Sequence, residues 1–288
     1  MPSLFERYIG IDWSGASTDD ARVDVRVAMV TDGGPRIVPP PYPRARAWTR
    51  NECVRRLCEE LKGDQPRTLV AIDMPFGLPW GADQALFGVE GWHNLVTEMA
   101  RRYGEASPPN VARETAISIN EDHPEAPPYR FDEGRNDRRF YLQHGVAYWR
   151  LVEDVVPQAI SAWYVGSGAS VGLQTISGMA AMSRLLLARD RGEIAFTAWP
   201  HEGLALPTAG HVIAECYPAL SPRHAKLAET YDRHERDALA VSTWFAALDQ
   251  DGRLAPMFAP PELPFGRVVN LSFADQIQFE GWMLGASP

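Results

Sequence analysis

The sequence predicts an α/β chain built on a mixed sheet, and three observations point there. Apolar runs of strand length recur and end in or next to an acid: Tyr8 to Trp13, Thr68 to Asp73 and Val212 to Cys216. An alternating polar and apolar run, Val23 to Val30, follows the first of them. Segments of helical spacing, some with recognisable caps and stops, lie between the later runs. Unbroken apolar runs suit strands buried on both faces, and alternation suits a half-exposed strand.

Taken in order, Tyr8-Ile9-Gly10-Ile11-Asp12-Trp13 forms the first strand and Val23–Val30 the second. Gly33-Gly34-Pro35 makes a turn, and Ile37-Val38 opens a short third strand, which gives an antiparallel meander. Thr49 is a sound N-cap for a helix reaching Leu61, with Gly63 as its stop. Thr68–Asp73 is the fourth strand, after which Pro75 and Pro79 break the chain. Residues from about 81 to 205 read as a mostly helical insertion, with helices at roughly 83–103, 138–153 and 176–190. Ser107-Pro108-Pro109 and His123 to Pro128 are loop-like within it. The core pattern resumes with Val212-Ile213-Ala214-Glu215-Cys216, a fifth strand ended by Pro218, and a helix from about 234 to 248. The tail could add a strand near Arg267–Leu271 beyond these core five. No linker or repeat interrupts this pattern. The expectation is therefore one domain over 1–288, with a core of about 5–80 and 206–288 and a five-stranded mixed sheet.

Composition narrows the function classes. Hydrophobic residues at 45% and charged residues at 23% permit a substantial core. Three cysteines, Cys53, Cys58 and Cys216, make neither an even disulfide set nor a paired metal motif, so a reducing, cytoplasmic setting is expected. The opening MPSLFERYIGIDWSG has no apolar run of signal-sequence length, and no stretch reads as a membrane span. A net charge of −9 repels polyanions as a whole, so a nucleic-acid role needs a local basic groove or divalent metals at the contact.

Four acids sit where acids are costly. Asp12, Asp73 and Glu215 close or end apolar strands, and Asp237 shares a helix face with Val241, Trp244 and Leu248. His234 falls on the same side of that helix, one turn earlier. A buried carboxylate costs several kcal/mol unless a cation, donors or a metal offsets it. Strand C-termini are where open α/β sheets bind ligands. Hard divalent ions prefer carboxylate oxygens, and two of them held together suit phosphodiester cleavage. Each acid alone has an ordinary reading: a turn former or cap for Asp12 and Asp73, an arginine partner for Glu215, a first-turn dipole acid for Asp237. His234 alone reads as a surface residue. Their joint occurrence is the signal.

The segments Ile9-Gly10-Ile11-Asp12-Trp13-Ser14, Ala71-Ile72-Asp73-Met74-Pro75-Phe76-Gly77-Leu78-Pro79, Glu215-Cys216-Tyr217-Pro218-Ala219 and Asp237-Ala238-Leu239 occur in an order that resembles the family of predicted RNase-H-like nucleases known as domain of unknown function 429. The Asp73 segment is the most specific of these. The resemblance covers both ends of the chain and little of the insertion. It implies a ribonuclease-H-like sheet and two Mg²⁺ or Mn²⁺ ions held by Asp12, Asp73 and Asp237. By the same resemblance Glu215 is a further ligand or a nearby supporting acid. His234 stands where RuvC-type helices often carry an acid, and some of those have histidine there.

Two further features carry weaker signals. The run Tyr164 to Gly172 is glycine-rich but lacks the Lys-Ser or Lys-Thr of a phosphate loop, so a plain loop is expected. Arg130, Arg135, Arg138, Arg139 and Arg150, with Tyr141, Tyr148 and Trp149, could line a nucleotide, but Asp132, Glu133 and Asp137 dilute the charge, so a solvated helix entrance is the expected reading. Trp13 reads as core and Ser14 as a turn hydroxyl. The leading expectation is a metal-dependent nuclease or phosphodiesterase acting on a nucleic acid or nucleotide. The alternatives are a phosphotransferase of the actin and hexokinase type, which needs a duplicated domain, and a non-catalytic binding protein of the same fold.

Overall fold

A computed structural model describes residues 3–131, 138–166, 171–222, 231–259 and 272–287. The opening meander forms as the alternation requires: β1 (Arg7–Asp12), β2 (Arg26–Thr31) and β3 (Gly34–Val38) pair antiparallel. Helix α1 (Arg50–Glu60) follows, with Thr49 and Glu52 closing a reciprocal capping box. Strand β4 (Thr68–Asp73) then lies parallel to β1, at the bounds its apolar run predicts.

The sheet has six strands rather than five, in the order β3-β2-β1-β4-β6-β5. The extra strand, β5 (Phe196–Trp199), comes from the end of the presumed insertion and pairs parallel with β6 (His211–Glu215) as the edge. At four residues it is too short to show a period, and only its burial against β6 defines it. The insertion is therefore not purely helical. The strand expected near Arg267–Leu271 lies outside the described residues.

Helical spans also shift. The stretch 83–103 is two helices, α2 (Ala82–Phe87) and α3 (Trp92–Glu105), broken where Gly88 and Gly91 take positive φ. Helix α4 (Val111–Asp122), capped by the Asn110 side chain, was not expected. The stretch 138–153 divides at Gly145 into α5 (Arg139–His144) and α6 (Leu151–Val155). Helix α7 (Val171–Asp190) starts earlier than its periodicity indicates. Contrary to expectation, α7 is long and apolar enough to cross a membrane, but 72% of its most apolar window is buried inside the protein. It packs on α1, α3 and α4 and serves as a core helix.

Strand alternation sorts the sheet into two faces. Ile9, Ile11, Val70, Ile72 and Ile213 join the core under α1, α3 and α7. Tyr8, Leu69, Ala71, Val212 and Ala214 face the second core with α8 (Arg233–Gln250) and α9 (Phe273–Glu280). Helix α8 crosses β1, β2 and β3 directly. Gly10 permits this closeness, because a Cβ there would lie 2.2 Å from the Ala238 carbonyl oxygen.

Candidate active site

Asp12 and Asp73 are register partners at the C-terminal ends of the parallel strands β1 and β4. Parallel strands lie about 4.8 Å apart, so the two acids project side by side on the α8 face. Asp12 also pairs with Arg26 of β2, whose guanidinium reaches Asp232 at 2.9 Å. Asp232 is the N-cap of α8, and Glu235 completes its capping box. Arg26 thus fixes the start of α8 beside Asp12. Asp237 falls in the second turn of that helix, not in the first as a dipole acid would, and is buried on the apolar face. His234, a turn earlier, places Nδ1 2.6 Å from Asp12 Oδ2.

The electrostatics follow from this crowding. Burial pushes the Asp12 carboxyl up to about 6, with the His234 hydrogen bond and charge opposing and the Asp237 charge reinforcing. The same hydrogen bond raises His234 above its usual value against the effect of burial. Burial, then the charges of Asp12, Asp237 and Glu215, hold Asp73 well above the ordinary carboxylate range; Arg233 opposes them. Among the described residues no hydrogen bond or ion pair serves the Asp73 carboxylate.

Glu215 has a different setting. It is in register with Ile72, not Asp73, so alternation turns its side chain to the opposite face. There both its oxygens meet Arg150, each at 2.7 Å. Arg150 also binds Glu153 at 2.8 Å and the Glu280 carbonyl at 3.1 Å. Glu280 in turn accepts the backbone N–H of Trp80 and of Leu151. The pairing with an arginine that Glu215 alone suggested is what the fold contains. The β6 residue beside Asp73 in the row is Cys216, whose buried thiol the neighbouring acids help to push up.

Asp12, Asp73, Asp237 and His234 line one cavity of about 400 Å³, and Glu215 borders it. Arg233 stands at its edge, exposed and without a hydrogen bond or ion pair among the described residues. Neither Arg150 nor Arg233 was marked out by spacing as part of this site. Among the described residues these arginines do not gather into a nucleotide-binding face: Arg150 is fully buried, and Arg130 lies over the Tyr148 ring at 5.1 Å. Arg135, Asp132, Glu133, Asp137 and residues 167–170 of the glycine run lie outside the described residues. Trp13 is core, its indole donating to Ser177 at 3.1 Å, and Ser14 accepts the Ala16 N–H as a turn hydroxyl does.

With the side chains as they stand, no group of three His, Cys, Asp or Glu among the described residues encloses a metal position. Asp12 is turned toward His234 and Glu215 toward Arg150, which accounts for this. The donor chemistry still fits a hard cation: Asp12, Asp73 and Asp237 offer carboxylate oxygens at one strand-end cavity, and Asp73 has no hydrogen bond or ion pair among the described residues. Comparison with family models, curated proteins and solved structures found no match.

Proposed function

We propose that the chain is a metal-dependent phosphodiesterase or nuclease of ribonuclease-H-like fold. The antiparallel β3-β2-β1 meander, extended by the parallel strands β4, β6 and β5, supports the fold reading. One observation carries the functional reading: the Asp73 carboxylate, without a hydrogen-bonding partner among the described residues, stands in register with Asp12 inside a cavity. Leaving such a carboxylate unpaired costs stability, and a cation site gives that cost a use.

In this reading Asp12, Asp73 and Asp237 hold Mg²⁺ or Mn²⁺. Such ions, when bound, activate a water and stabilise the leaving oxygen of a phosphoester. His234 holds a proton between Nδ1 and Asp12 Oδ2 and is placed to give or take one near the reacting phosphate. Glu215, held by Arg150 on the opposite face, is a positioning residue that keeps a fixed negative charge behind Asp73. The cysteines are all free thiols, in keeping with a cytoplasmic setting. The phosphotransferase reading has less support, because the described residues contain one sheet and that reading needs two.

The test offers DNA, RNA and branched substrates with Mn²⁺ to the purified protein and to an Asp12→Asn/Asp73→Asn variant. Metal-dependent cleavage that the variant loses is expected. Cleavage absent from the parent, or equal in both, contradicts the proposal.

A further inference from the structure

Two acids of this site are recessed and the third is half-buried: Asp12 is 5% and Asp237 8% exposed, so the reacting group must descend to them past Asp73. A pocket takes a nucleotide from a double helix only by extruding it, which costs about a few kcal/mol and is least for a strand that is already single. Here a wall stands over the strand ends. Ala159 and Ile160 after α6, the first turn of α7 with Leu173 and Gln174, and Met283 all border the cavity.

That wall is fastened to the floor. A Cβ on Gly15 would lie 2.2 Å from the Leu173 carbonyl carbon, so the loop after Asp12 is in backbone contact with α7. Gln174 Nε2 donates to the Trp13 carbonyl at 2.7 Å. On the other side Met283 is bridged to Glu215. The space, about 400 Å³ and open to solvent on one side, is in the range that single small ligands occupy.

Its surfaces divide by chemistry. Ile160, Leu173, Met283 and the Tyr217 ring offer an apolar and aromatic flank, which suits the face of a base. Arg233 supplies a guanidinium with no hydrogen bond or ion pair among the described residues. Guanidinium groups bind phosphate through paired, charge-assisted hydrogen bonds. A net charge of −9 also penalises a long polyanion far more than a single phosphate.

Resting on the phosphodiesterase reading, we propose that this site takes a nucleotide-sized phosphoester, with Arg233 gripping the phosphate, and excludes double-stranded nucleic acid. The nucleotide comes either free or as the last residue of a single strand.

Equilibrium binding of AMP, of a short single-stranded DNA and of the corresponding duplex separates these sources. Each is titrated with Mn²⁺ into the full chain, into Arg233→Ala and into Ile160→Trp, and Mn²⁺ uptake is measured alone. AMP or the single strand should bind, with the duplex at least about tenfold weaker. Arg233→Ala should lose about tenfold for the ligand that binds, the size of one charge-assisted contact. Ile160→Trp should abolish that binding while leaving Mn²⁺ uptake unchanged. AMP binding without strand binding identifies a free nucleotide, and tighter strand binding identifies a terminal one. Duplex bound or cleaved as well as the single strand overturns the inference while the phosphodiesterase reading stands. AMP bound and displaced by Ile160→Trp, with no Mn²⁺ uptake by the parent, overturns that reading while the pocket assignment stands. Unchanged affinity in Arg233→Ala removes Arg233 from the phosphate.

Discussion

His234 Nδ1 lies 2.6 Å from Asp12 Oδ2, joining the first turn of α8 to the end of β1. That contact holds one acid of the cluster, while Asp73, its register partner, has no comparable hydrogen bond among the described residues. The two aspartates therefore answer differently to substitution.

Asp73→Asn should stabilise the metal-free protein near neutral pH. Its folded-state pKa is raised, so its contribution is favourable below the ordinary 3.8 and is lost as pH rises through the folded value. Removing the charge should raise Tm by at least roughly 2 °C near pH 8, with the difference closing toward pH 4. Thermal melts across that range check it. A lower Tm at neutral pH would mean that Asp73 is structural.

Acid should weaken the fold through His201. Burial lowers this histidine from 6.5 to about 3, against a helpful hydrogen bond with the Gln278 carbonyl. Its neutral form is favoured by folding, so stability is full above 6.5 and is lost as pH falls toward 3. The loss approaches ~1.4 kcal/mol per pH unit within that window. In urea melts, His201→Gln should show a shallower loss than the parent.

Arg150→Met should be the most damaging single change near the site. It leaves Glu215 and Glu153 buried without their cation, which typically costs about 3–5 kcal/mol. Glu215→Gln keeps a hydrogen-bonding partner and should cost less. Urea unfolding of the two variants ranks them, and the reverse order would contradict the pairing.

Gly10→Ala should push α8 away from β1, since the new methyl would meet the Ala238 carbonyl oxygen. A loss of at least about 2 kcal/mol is expected from this overpacking. Gly33→Ala serves as a control, because only a side-chain oxygen lies near its added Cβ, at 3.7 Å.

Much of this arrangement was legible because buried parallel strands leave long apolar runs. Thr68–Asp73 and Val212–Glu215 announced β4 and most of β6, and the acids ending them marked the cavity. Thr49 announced α1 through its cap. β5 did not announce itself: Phe196-Thr197-Ala198-Trp199 is too short for a period, and pairing with β6 makes it a strand. Helix α4, VARETAISINED, carries only a weak apolar stripe amid polar residues, so its periodicity does not mark it as a helix. The role of Glu215 was hidden for a different reason. Its face depends on register with Ile72, and its partner Arg150 lies 65 residues away, so neither fact has a local signature.

The central claim is that Asp12 and Asp73 share a divalent cation, and anomalous diffraction from crystals grown with Mn²⁺ tests it most directly. The account predicts a manganese peak between the two carboxylates, with Asp237 within ligand or water-bridged reach and His234 drawn off Asp12 Oδ2. A Mn²⁺-soaked crystal with no peak there, and the His234–Asp12 hydrogen bond unchanged, would contradict it.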